Sequence, residues 1–418
     1  MARVLFVAVN YWPEPSGTAP YTTRIAEHLA KQGHDVTVLT GYPHYPAWRV
    51  SSAYPSRLSY REVINGVKVI RKRHFVPGRQ TVAGRALYES TFLAHGLATR
   101  LRRPDAVIGV IPSLNGGALA RVLAARFRVG YAVIVQDLMG RAAGQSGVSG
   151  GSRVASAISR VEAWSLRRAR LVAPVSVAFI PYLKSLGISD AQLVHLPNWT
   201  LHAGRAVDRA QVRRRLGWGD EQVVLHAGNM GLKQGLEQVL VAARTAVLAA
   251  PHVRFVLLGD GSQRAVLESA SAGLPNLQYL STQSADDYAR ALAAADVLLL
   301  SERGTSVDMS LPSKLTAYCA AGRPIVAAVR KGGATWAEVD VIGAGLLVPA
   351  GDPDALLGAL ATLRGDPVLA DELGSRGLAH AQEMYSEEAA LVRAEGLVER
   401  LLRSGRRAET VKMAETAL

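Results

Sequence analysis

The chain has 418 residues, which is more than one compact domain usually holds and favours two or three domains of roughly 100 to 200 residues each. Hydrophobic residues make up 49% of the chain and charged residues 20%, a composition that excludes disorder throughout. The single cysteine, Cys319, excludes an internal disulfide, and no Cys/His spacing resembles a zinc motif. We therefore expect a reducing compartment and no metal site.

The net charge of +14 is concentrated in one half of the chain. Residues 1–200 hold 25 basic and 9 acidic side chains, whereas residues 201–418 hold 23 and 25. A half with this excess would attract nucleic acid, an anionic membrane surface or a phosphate-bearing substrate. Arginine enrichment from genomic base composition is the alternative, but it does not explain the asymmetry between the halves.

The apolar runs of the sequence are short. The opening run, residues 4–9, is too brief for the core of a signal peptide, and nowhere do 18 consecutive apolar residues occur. We therefore expect a cytoplasmic protein without a spanning helix, for which peripheral association with the inner face of the membrane stays allowed.

The first half reads as strands that alternate with helices. A strand at 3–9, a Gly/Pro loop, a helix at 21–32 and a strand at 35–40 form a βαβ unit. Further strands are predicted at 105–110, 131–135, 171–175 and 193–196, and helices at 114–127 and 153–169. Apolar strands separated by helices predict a parallel sheet that is covered on both faces.

The same pattern begins again after Pro197-Asn198-Trp199. Strands are predicted at 223–226, 253–258, 277–280, 297–300 and 324–329, with helices at 236–248, 262–270, 285–294 and 313–321. The tail from residue 354 is nearly all helical, is broken at 365–367, and could cross back to the first domain at 386–403.

These elements predict an α/β protein with two facing Rossmann-like domains. The first domain spans residues 1–200, the second spans 201–385, and a C-terminal helix or tail spans 386–418. Ligands of such sheets bind beyond the carboxyl ends of the strands, so we expect the active site in the cleft between the two domains.

The loop after the first strand carries Gly17 and Thr18 just before a helix. Backbone amides at that position can approach an anion, and the helix N-terminus favours negative charge. An ordinary βα turn that needs a glycine explains the loop equally well. The loop does not read GxGxxG, which weakens a simple NAD-binding interpretation.

The corresponding loop of the second half, residues 226–237, holds Gly228, Asn229 and Lys233. Its glycine amides and its ammonium group suit a diphosphate. A solvated lysine beside a flexible turn is the alternative. The next strand ends in Gly259-Asp260-Gly261, again a glycine turn, which by itself is a weak signal.

A third loop, residues 311–315, precedes the helix that ends near Gly322. Ser313 can cap that helix, which is a structural role. Lys314 would lie in the first helical turn, where a cation is unfavourable unless an anion neutralises it. Three loops from strand ends of one sheet would together surround a nucleotide diphosphate.

Five segments resemble the GT-B glycosyltransferases of family 4, within the branch of colanic-acid-type and O-antigen exopolysaccharide transferases. The segments are PEPSGTAPYTTRIAEHLAKQGHDVTVLTGYPHYP, AGNMGLKQGLE, LLGDG, LPSKLTAYCAAGRPIVA and GAGLLVPAGDPDAL. The resemblance implies a nucleotide-sugar donor in the second domain and an acceptor in the first. It also implies retention of the anomeric configuration, with no required metal and no other cofactor.

The resemblance assigns roles by position. Gly17 and Thr18 match the family's N-terminal glycine loop near the donor phosphates and the acceptor. Lys233 matches the basic residue on the donor diphosphate. Ser313, Lys314 and Leu315 match the loop that holds the diphosphate and the ribose.

The sequence departs from the family pattern in three places. Met309 and Ala317 stand where the family commonly has two glutamates, and Leu232 stands where the branch has an arginine before the lysine. Where many members read histidine or arginine followed by Asp-Leu-Trp-Pro, this chain reads Gln136-Asp137-Leu138-Met139-Gly140. No side-chain base is therefore assigned.

Glycosyl transfer needs positive charge where the nucleotide diphosphate departs, and Lys233 and Lys314 can supply it. In the family's front-face mechanism the leaving phosphate itself takes the acceptor proton, so a missing base is tolerable. Asp137, at a predicted strand end, could orient the acceptor hydroxyl or serve as a loop cap. Lys233, Lys314 and Asp137 form the predicted catalytic set.

The expected partners are a nucleotide-sugar donor, a glycan, lipid-linked or small-molecule acceptor, and an anionic membrane surface, with no nucleic acid. Three basic clusters would face the membrane: Arg71-Lys72-Arg73, Arg100 with Arg102-Arg103, and Arg167-Arg168 with Arg170. Two rival functions stay open, a GT-B nucleotide-sugar epimerase and a noncatalytic partner of an active transferase.

Overall fold

The protein is described by a computed structural model that covers residues 1–54, 56–79, 81–138, 151–201, 207–305 and 313–416. Its internal contacts divide the chain into two units. The first unit comprises residues 1–197 together with residues from Ala390 onward, and the second comprises residues 198–389.

The first unit is built on a seven-stranded sheet of order β3-β4-β2-β1-β5-β6-β7. Its strands are β1 Arg3–Val7, β2 Asp35–Gly41, β3 Ser59–Ile64, β4 Val67–Lys72, β5 Ala106–Ile111, β6 Gly130–Val135 and β7 Leu171–Pro174. Its helices are α1 Ala19–Lys31, α2 Val82–Leu97, α3 Leu114–Phe127, α4 Gly151–Arg167 and α5 Ile180–Ser185.

The predicted parallel sheet is confirmed in this unit apart from its edge. Strand β3 pairs antiparallel with β4 through a turn at Asn65-Gly66, where both residues have positive φ, a pair of residues that is typical of tight hairpins. This hairpin was not expected from the sequence. The segment predicted as a strand at 193–196 is not a regular strand, but it lies along β7: Leu193 forms an isolated parallel bridge with Val172, and the amides of Val194 and Leu196 donate to the carbonyls of Val172 and Pro174 at 3.0 Å.

The second unit is built on a parallel six-stranded sheet of order β10-β9-β8-β11-β12-β13. Its strands are β8 Gln222–Ala227, β9 Val253–Leu258, β10 Leu277–Leu280, β11 Val297–Ser301, β12 Ile325–Val329 and β13 Gly345–Pro349. Its helices are α6 Arg209–Leu216, α7 Glu237–Ala249, α8 Arg264–Ala270, α9 Ala285–Ala294, α10 Lys314–Ala320, α11 Ala334–Ile342, α12 Pro353–Gly365 and α13 Pro367–Met384.

The second sheet is buried on both faces, as its continuous apolar strands predict. Along β12, Ile325 and Ala327 belong to one apolar cluster, whereas Val326 and Ala328 belong to the cluster on the opposite face. Successive side chains of a strand point to opposite faces, so an uninterrupted apolar run requires helices on both. Helices α10 and α13 pack in the first cluster, and α7 and α12 in the second.

The last helix, α14, spans Glu387–Thr416. Its residues from Ala390 onward are assigned to the first unit, and Glu395 on this helix lies 3.4 Å from Nε2 of His28 on α1. Ala394 and Leu401 are buried there. Within the described ranges, no helix combines the length and the apolar character that crossing a membrane would need.

Candidate functional site

The second sheet changes direction between β8 and β11. From β8 the strand order runs to β9 and β10 on one side, and from β11 it runs to β12 and β13 on the other. Loops that leave the carboxyl ends of two such strands diverge and open a crevice, which is where doubly wound sheets bind ligands. A ligand of this sheet is therefore expected to bind at the loops after β8 and β11.

The loops after β8 and β9 interlock backbone to backbone. The amide of Gly228 donates to the carbonyl of Leu258 at 2.8 Å, and the amide of Met230 donates to the carbonyl of Asp260 at 2.8 Å. A Cβ atom at Gly259 would overlap the carbonyl oxygen of Gly228, and a Cβ atom at Gly261 would lie 2.6 Å from Oδ1 of Asn229. These glycines are needed for the close approach of two backbones.

Five predicted donor-binding residues are thus brought together at one edge of the second sheet. They are Gly228, Asn229, Gly259, Asp260 and Gly261. The carboxylate of Asp260 accepts a hydrogen bond from the amide of Gly261 at 2.7 Å, which holds its own turn in shape.

The segment around Lys233 is fixed to the end of β11. Residues Leu232–Gln234 form one short 3₁₀ turn, and the carbonyl of Lys233 accepts a hydrogen bond from the amide of Arg303 at 3.0 Å. The hydroxyl of Ser301 donates to the carbonyl of Gln234 at 2.7 Å. Leu232, which replaces the expected arginine, has an exposed side chain.

Lys314 begins α10, and its ammonium points back to β8. The Nζ atom lies 3.0 Å from Nε2 of His226, a completely buried residue of β8. A Cβ atom at Gly228 would lie 3.5 Å from Cε of Lys314, so the lysine stem runs along the glycine loop.

The electrostatics of this lysine are unusual. The pKa of Lys314 is lowered to about 7, mainly by burial; the negative charge of Glu302 opposes this shift, and the positive charge of Lys233 adds to it. Burial also holds the pKa of His226 well below its ordinary value, and Lys314 adds to that effect. An incoming anion would restore the protonated form of Lys314, because a nearby opposite charge favours the charged state.

Ser313 and Leu315, the other two predicted residues of the third loop, flank Lys314. Ser313 has helical dihedral angles, and its side chain makes no capping hydrogen bond, so the predicted cap is wrong. The side chain of Leu315 is fully buried in the core, which leaves its backbone as the part that a ligand could contact. Ala317 is also buried on α10, and Met309 lies outside the described residues.

The predicted residues of the first unit lie at the carboxyl edge of its sheet. Gly17 has a φ of +70°, and the carbonyl of Thr18 accepts hydrogen bonds from the amide and the hydroxyl of Thr22 at the start of α1. Asp137 follows the end of β6, and its neighbours Met139 and Gly140 lie outside the described residues.

Glu14 is a residue that the sequence analysis missed. Its buried carboxylate accepts hydrogen bonds from the amides of His44 at 2.7 Å and Tyr45 at 2.8 Å, and from the side-chain amide of Asn10 at 2.7 Å. It therefore joins the loop after β1 to the loop after β2. The only sequence signal is an acidic residue between two prolines.

A groove of about 530 Å³ opens between these two loops, and Glu14, His44, Tyr45 and Arg49 are among its lining residues. Burial lowers the pKa of His44, whose ring is held by the carbonyl of Tyr42 at 2.8 Å and the hydroxyl of Tyr88 at 3.1 Å. Its burial and these contacts show that His44 packs in the interior of the first unit. Within the ranges that the structure covers, no three His, Cys, Asp or Glu side chains are grouped closely enough to hold a metal ion.

The sequence matches two protein families. Residues 16–199 match the glycosyl transferase 4-like domain, and residues 221–366 match the glycosyl transferases group 1. The putative colanic acid biosynthesis glycosyl transferase WcaI of Escherichia coli is 31% identical over 337 residues, which are 77% of this chain and 81% of that protein. A GDP-mannose-dependent alpha-mannosyltransferase of Mycobacterium tuberculosis is 25% identical over 78% of each chain.

The fold is shared with solved structures. Sucrose-phosphate synthase from Thermosynechococcus elongatus has a TM-score of 0.71 at 19% identity, and the superposition covers 97% of this chain and 100% of the synthase chain. Anabaena HepE, solved in complex with UDP, has a TM-score of 0.67 at 15% identity, and the superposition covers 96% of this chain and 99% of the HepE chain. At these identities the likeness shows the fold alone.

Proposed function

Because this chain is a glycosyltransferase of family 4 with the GT-B fold, we propose that it is a retaining enzyme that needs no metal ion. It moves a sugar from a nucleotide diphosphate sugar to an acceptor hydroxyl. The observation that supports this proposal most strongly is the placement of Lys314, with its lowered pKa, against the glycine loop where the second sheet changes direction.

The proposed chemistry uses the two lysines as the counter-charge of the leaving group. As the bond between the anomeric carbon and the phosphate oxygen breaks, negative charge builds on the diphosphate, and Lys233 and Lys314 stabilise it. The phosphate oxygen takes the proton of the acceptor hydroxyl, whose oxygen forms the new bond on the same face of the sugar. Neither a protein base nor a divalent cation is needed for this charge balance.

The nature of the donor is supported by the similar proteins. HepE has been solved with UDP and with UDP-glucose, and two curated relatives carry GDP-mannose-dependent transfer in their names. These proteins share the use of a nucleotide diphosphate sugar, and they differ in nucleotide base. We propose that this chain also uses a nucleotide diphosphate sugar as its donor. The nucleotide base and the sugar are to be determined by the donor assay.

The acceptor is proposed to bind the first unit. The groove beside Glu14, His44 and Arg49 lies at the carboxyl edge of that sheet and is large enough for a sugar ring. Asp137 follows β6 at the same edge and is proposed to orient the acceptor hydroxyl. A glycan or lipid-linked acceptor fits the polysaccharide branch to which WcaI belongs by its name.

The function is tested by incubating the protein with UDP- and GDP-sugars in excess EDTA and assaying nucleotide diphosphate release with and without candidate acceptors. We expect release that requires an acceptor and a product with the donor's anomeric configuration, determined by nuclear magnetic resonance. The configuration follows from attack on the face that the diphosphate leaves, and EDTA is tolerated because lysines carry the counter-charge.

The other outcomes separate the rival functions. An inverted product or complete dependence on a divalent cation contradicts the mechanism. Conversion of the donor sugar without any acceptor identifies an epimerase. Absence of turnover with the whole donor panel, despite tight nucleotide binding, favours a noncatalytic partner.

The basic clusters of the first unit lie at opposite edges of its sheet. Arg71 is completely buried and forms an ion pair with Glu62, so it cannot face a membrane. The cluster that includes it lies at the carboxyl end of β4. The other two clusters immediately precede β5 and β7 and therefore share the amino edge of the sheet. We call the exposed members of this group the basic edge: Arg100, Arg102, Arg103, Arg167 and Arg168.

We propose that the basic edge binds an anionic membrane surface, and we predict that Arg102→Glu with Arg168→Glu removes that binding. Each basic residue near such a surface contributes about 1 kcal/mol, screened over a distance of about 8 Å at physiological salt. In co-sedimentation, the full chain should bind vesicles that contain phosphatidylglycerol at low salt and not purely zwitterionic vesicles.

The control for this prediction is Arg214→Glu, which reverses an exposed charge on α6 of the second unit. It should sediment like the wild type. If the wild type fails to bind anionic vesicles even at low salt, the membrane proposal is wrong and the proposed transferase activity is unaffected.

A further inference from the structure

His226 is a buried imidazole whose two nitrogens have different partners. Its Nδ1 atom lies 3.2 Å from the carbonyl oxygen of Leu299 on β11, and its Nε2 atom lies 3.0 Å from Nζ of Lys314. A carbonyl oxygen accepts hydrogen bonds and cannot donate them, so we assign the proton of the neutral ring to Nδ1, which faces Leu299. The backbone of Asn229 also lies within hydrogen-bonding reach of the ring and, like that of Leu299, opposes the lowering of its pKa. The lone pair of Nε2 is then left to accept from the lysine.

The protonation state of this ring follows from its surroundings. His226 is completely buried, and burial together with the charge of Lys314 keeps its pKa well below the ordinary value. The ring is therefore neutral near pH 7. A neutral acceptor can direct one of the three N–H groups of an ammonium without cancelling its charge, whereas a carboxylate in the same place would neutralise it.

We propose that His226 is a positioning residue, whose neutral Nε2 holds the Lys314 ammonium beside the Gly228 loop so that its remaining N–H donors meet the donor diphosphate. This inference rests on the proposed function, since it assumes that Lys314 binds the diphosphate. Helix α10 fixes the backbone of the lysine by a separate route, because the hydroxyl of Tyr318 accepts from the amide of Ala227 at 2.8 Å. The imidazole of His226 therefore acts on the position of the Lys314 ammonium and not on the lysine backbone.

The charged groups that act on Lys314 come from several elements. Lys233 precedes α7, Glu302 follows β11, and the hydroxyl of Thr335 on α11 donates to the Glu302 carboxylate at 3.1 Å. The experiment must therefore separate an effect through Lys314 from a general disturbance of the site.

A double-mutant cycle makes that separation. The affinities of UDP and GDP are measured by titration calorimetry for the wild type, His226→Leu, Lys314→Met and the double variant, and the nucleotide that binds the wild type more tightly is analysed. We expect His226→Leu to weaken binding at least tenfold in the wild-type background. In the Lys314→Met background the same change should alter affinity less than twofold.

His226→Gln is the conservative variant, because its amide can donate to Leu299 and accept from Lys314. We expect its affinity to stay within threefold of the wild type. If His226→Leu does not fold, as its melting curve would show, His226→Asn takes its place in the cycle, since the shorter amide cannot reach the lysine.

Equal losses from His226→Leu in both backgrounds would overturn the proposal, and so would a His226→Gln variant as weak as His226→Leu. Unchanged affinity in Lys314→Met would instead overturn the proposed diphosphate site itself. The failure of the positioning role and the failure of the proposed function are thus distinguishable.

Discussion

Replacing Lys314 with methionine should remove most of the transfer activity and leave the fold as stable as the wild type or more so. Loss of one contact to a developing phosphate charge costs about 3 to 4 kcal/mol of transition-state stabilisation, a loss of roughly a hundredfold to a thousandfold in turnover. Methionine keeps the length of the stem and removes a charge that the site desolvates. Turnover and urea unfolding, both at pH 6.5, measure the two effects.

The pH dependence gives this prediction a second readout. The pKa of Lys314 is about 7 in the folded protein and is at its ordinary, higher value in the unfolded chain. Between these values the unfolded chain binds more protons, so this group makes the free energy of unfolding rise with pH. That contribution should be absent in Lys314→Met. In the wild type, nucleotide binding should take up protons and weaken as the pH rises above 7.

Lys31→Met is the matched control, because Lys31 is an exposed lysine at the end of α1. It should keep wild-type turnover. If Lys314→Met keeps wild-type turnover and nucleotide affinity, Lys314 has no part in the mechanism. If Lys314→Met instead loses much of its stability, the ammonium of Lys314 is needed by the fold.

Gly259→Ala should destabilise the second unit and disturb the site at the same time. Gly259 has a φ of +134°, and an added Cβ atom would overlap the carbonyl oxygen of Gly228, which is backbone and cannot rotate away. Strained dihedral angles and forced displacement together should lower the free energy of unfolding by about 3 kcal/mol or more. Nucleotide affinity should fall as well, because the Gly228 loop lies against Lys314.

Gly273→Ala separates backbone strain from overlap. Gly273 also has positive φ, at +83°, but an added Cβ atom there meets no atom within 4 Å. It should cost about 1 kcal/mol and leave nucleotide affinity unchanged. Equal destabilisation by the two variants would show that the approach of the two loops is not as tight as described.

The glycine turns at Gly228 and at Gly259-Asp260-Gly261, and the order of strands and helices, were predictable because they depend on the residue pattern within short segments of the chain. Apolar runs such as 297–300 and 325–329 are buried on both faces, and this pattern predicts parallel strands regardless of their neighbours. The β3–β4 hairpin was missed although Asn65-Gly66 is a strong turn signal. Its edge strand alternates between exposed and partly buried residues, a pattern that differs little from a polar loop.

The sequence by itself determined the α/β class and the family, and it singled out Lys233 and Lys314 as candidates for the site, because each of these depends on patterns that are local in the chain. Only the tertiary structure decided the partners of those residues. His226 meets Lys314 across 88 positions, Glu14 meets His44 across 30, and the basic clusters separate to opposite edges of one sheet. Strand order in a doubly wound sheet differs from chain order, so side-chain contacts between strand ends follow from the topology of the sheet.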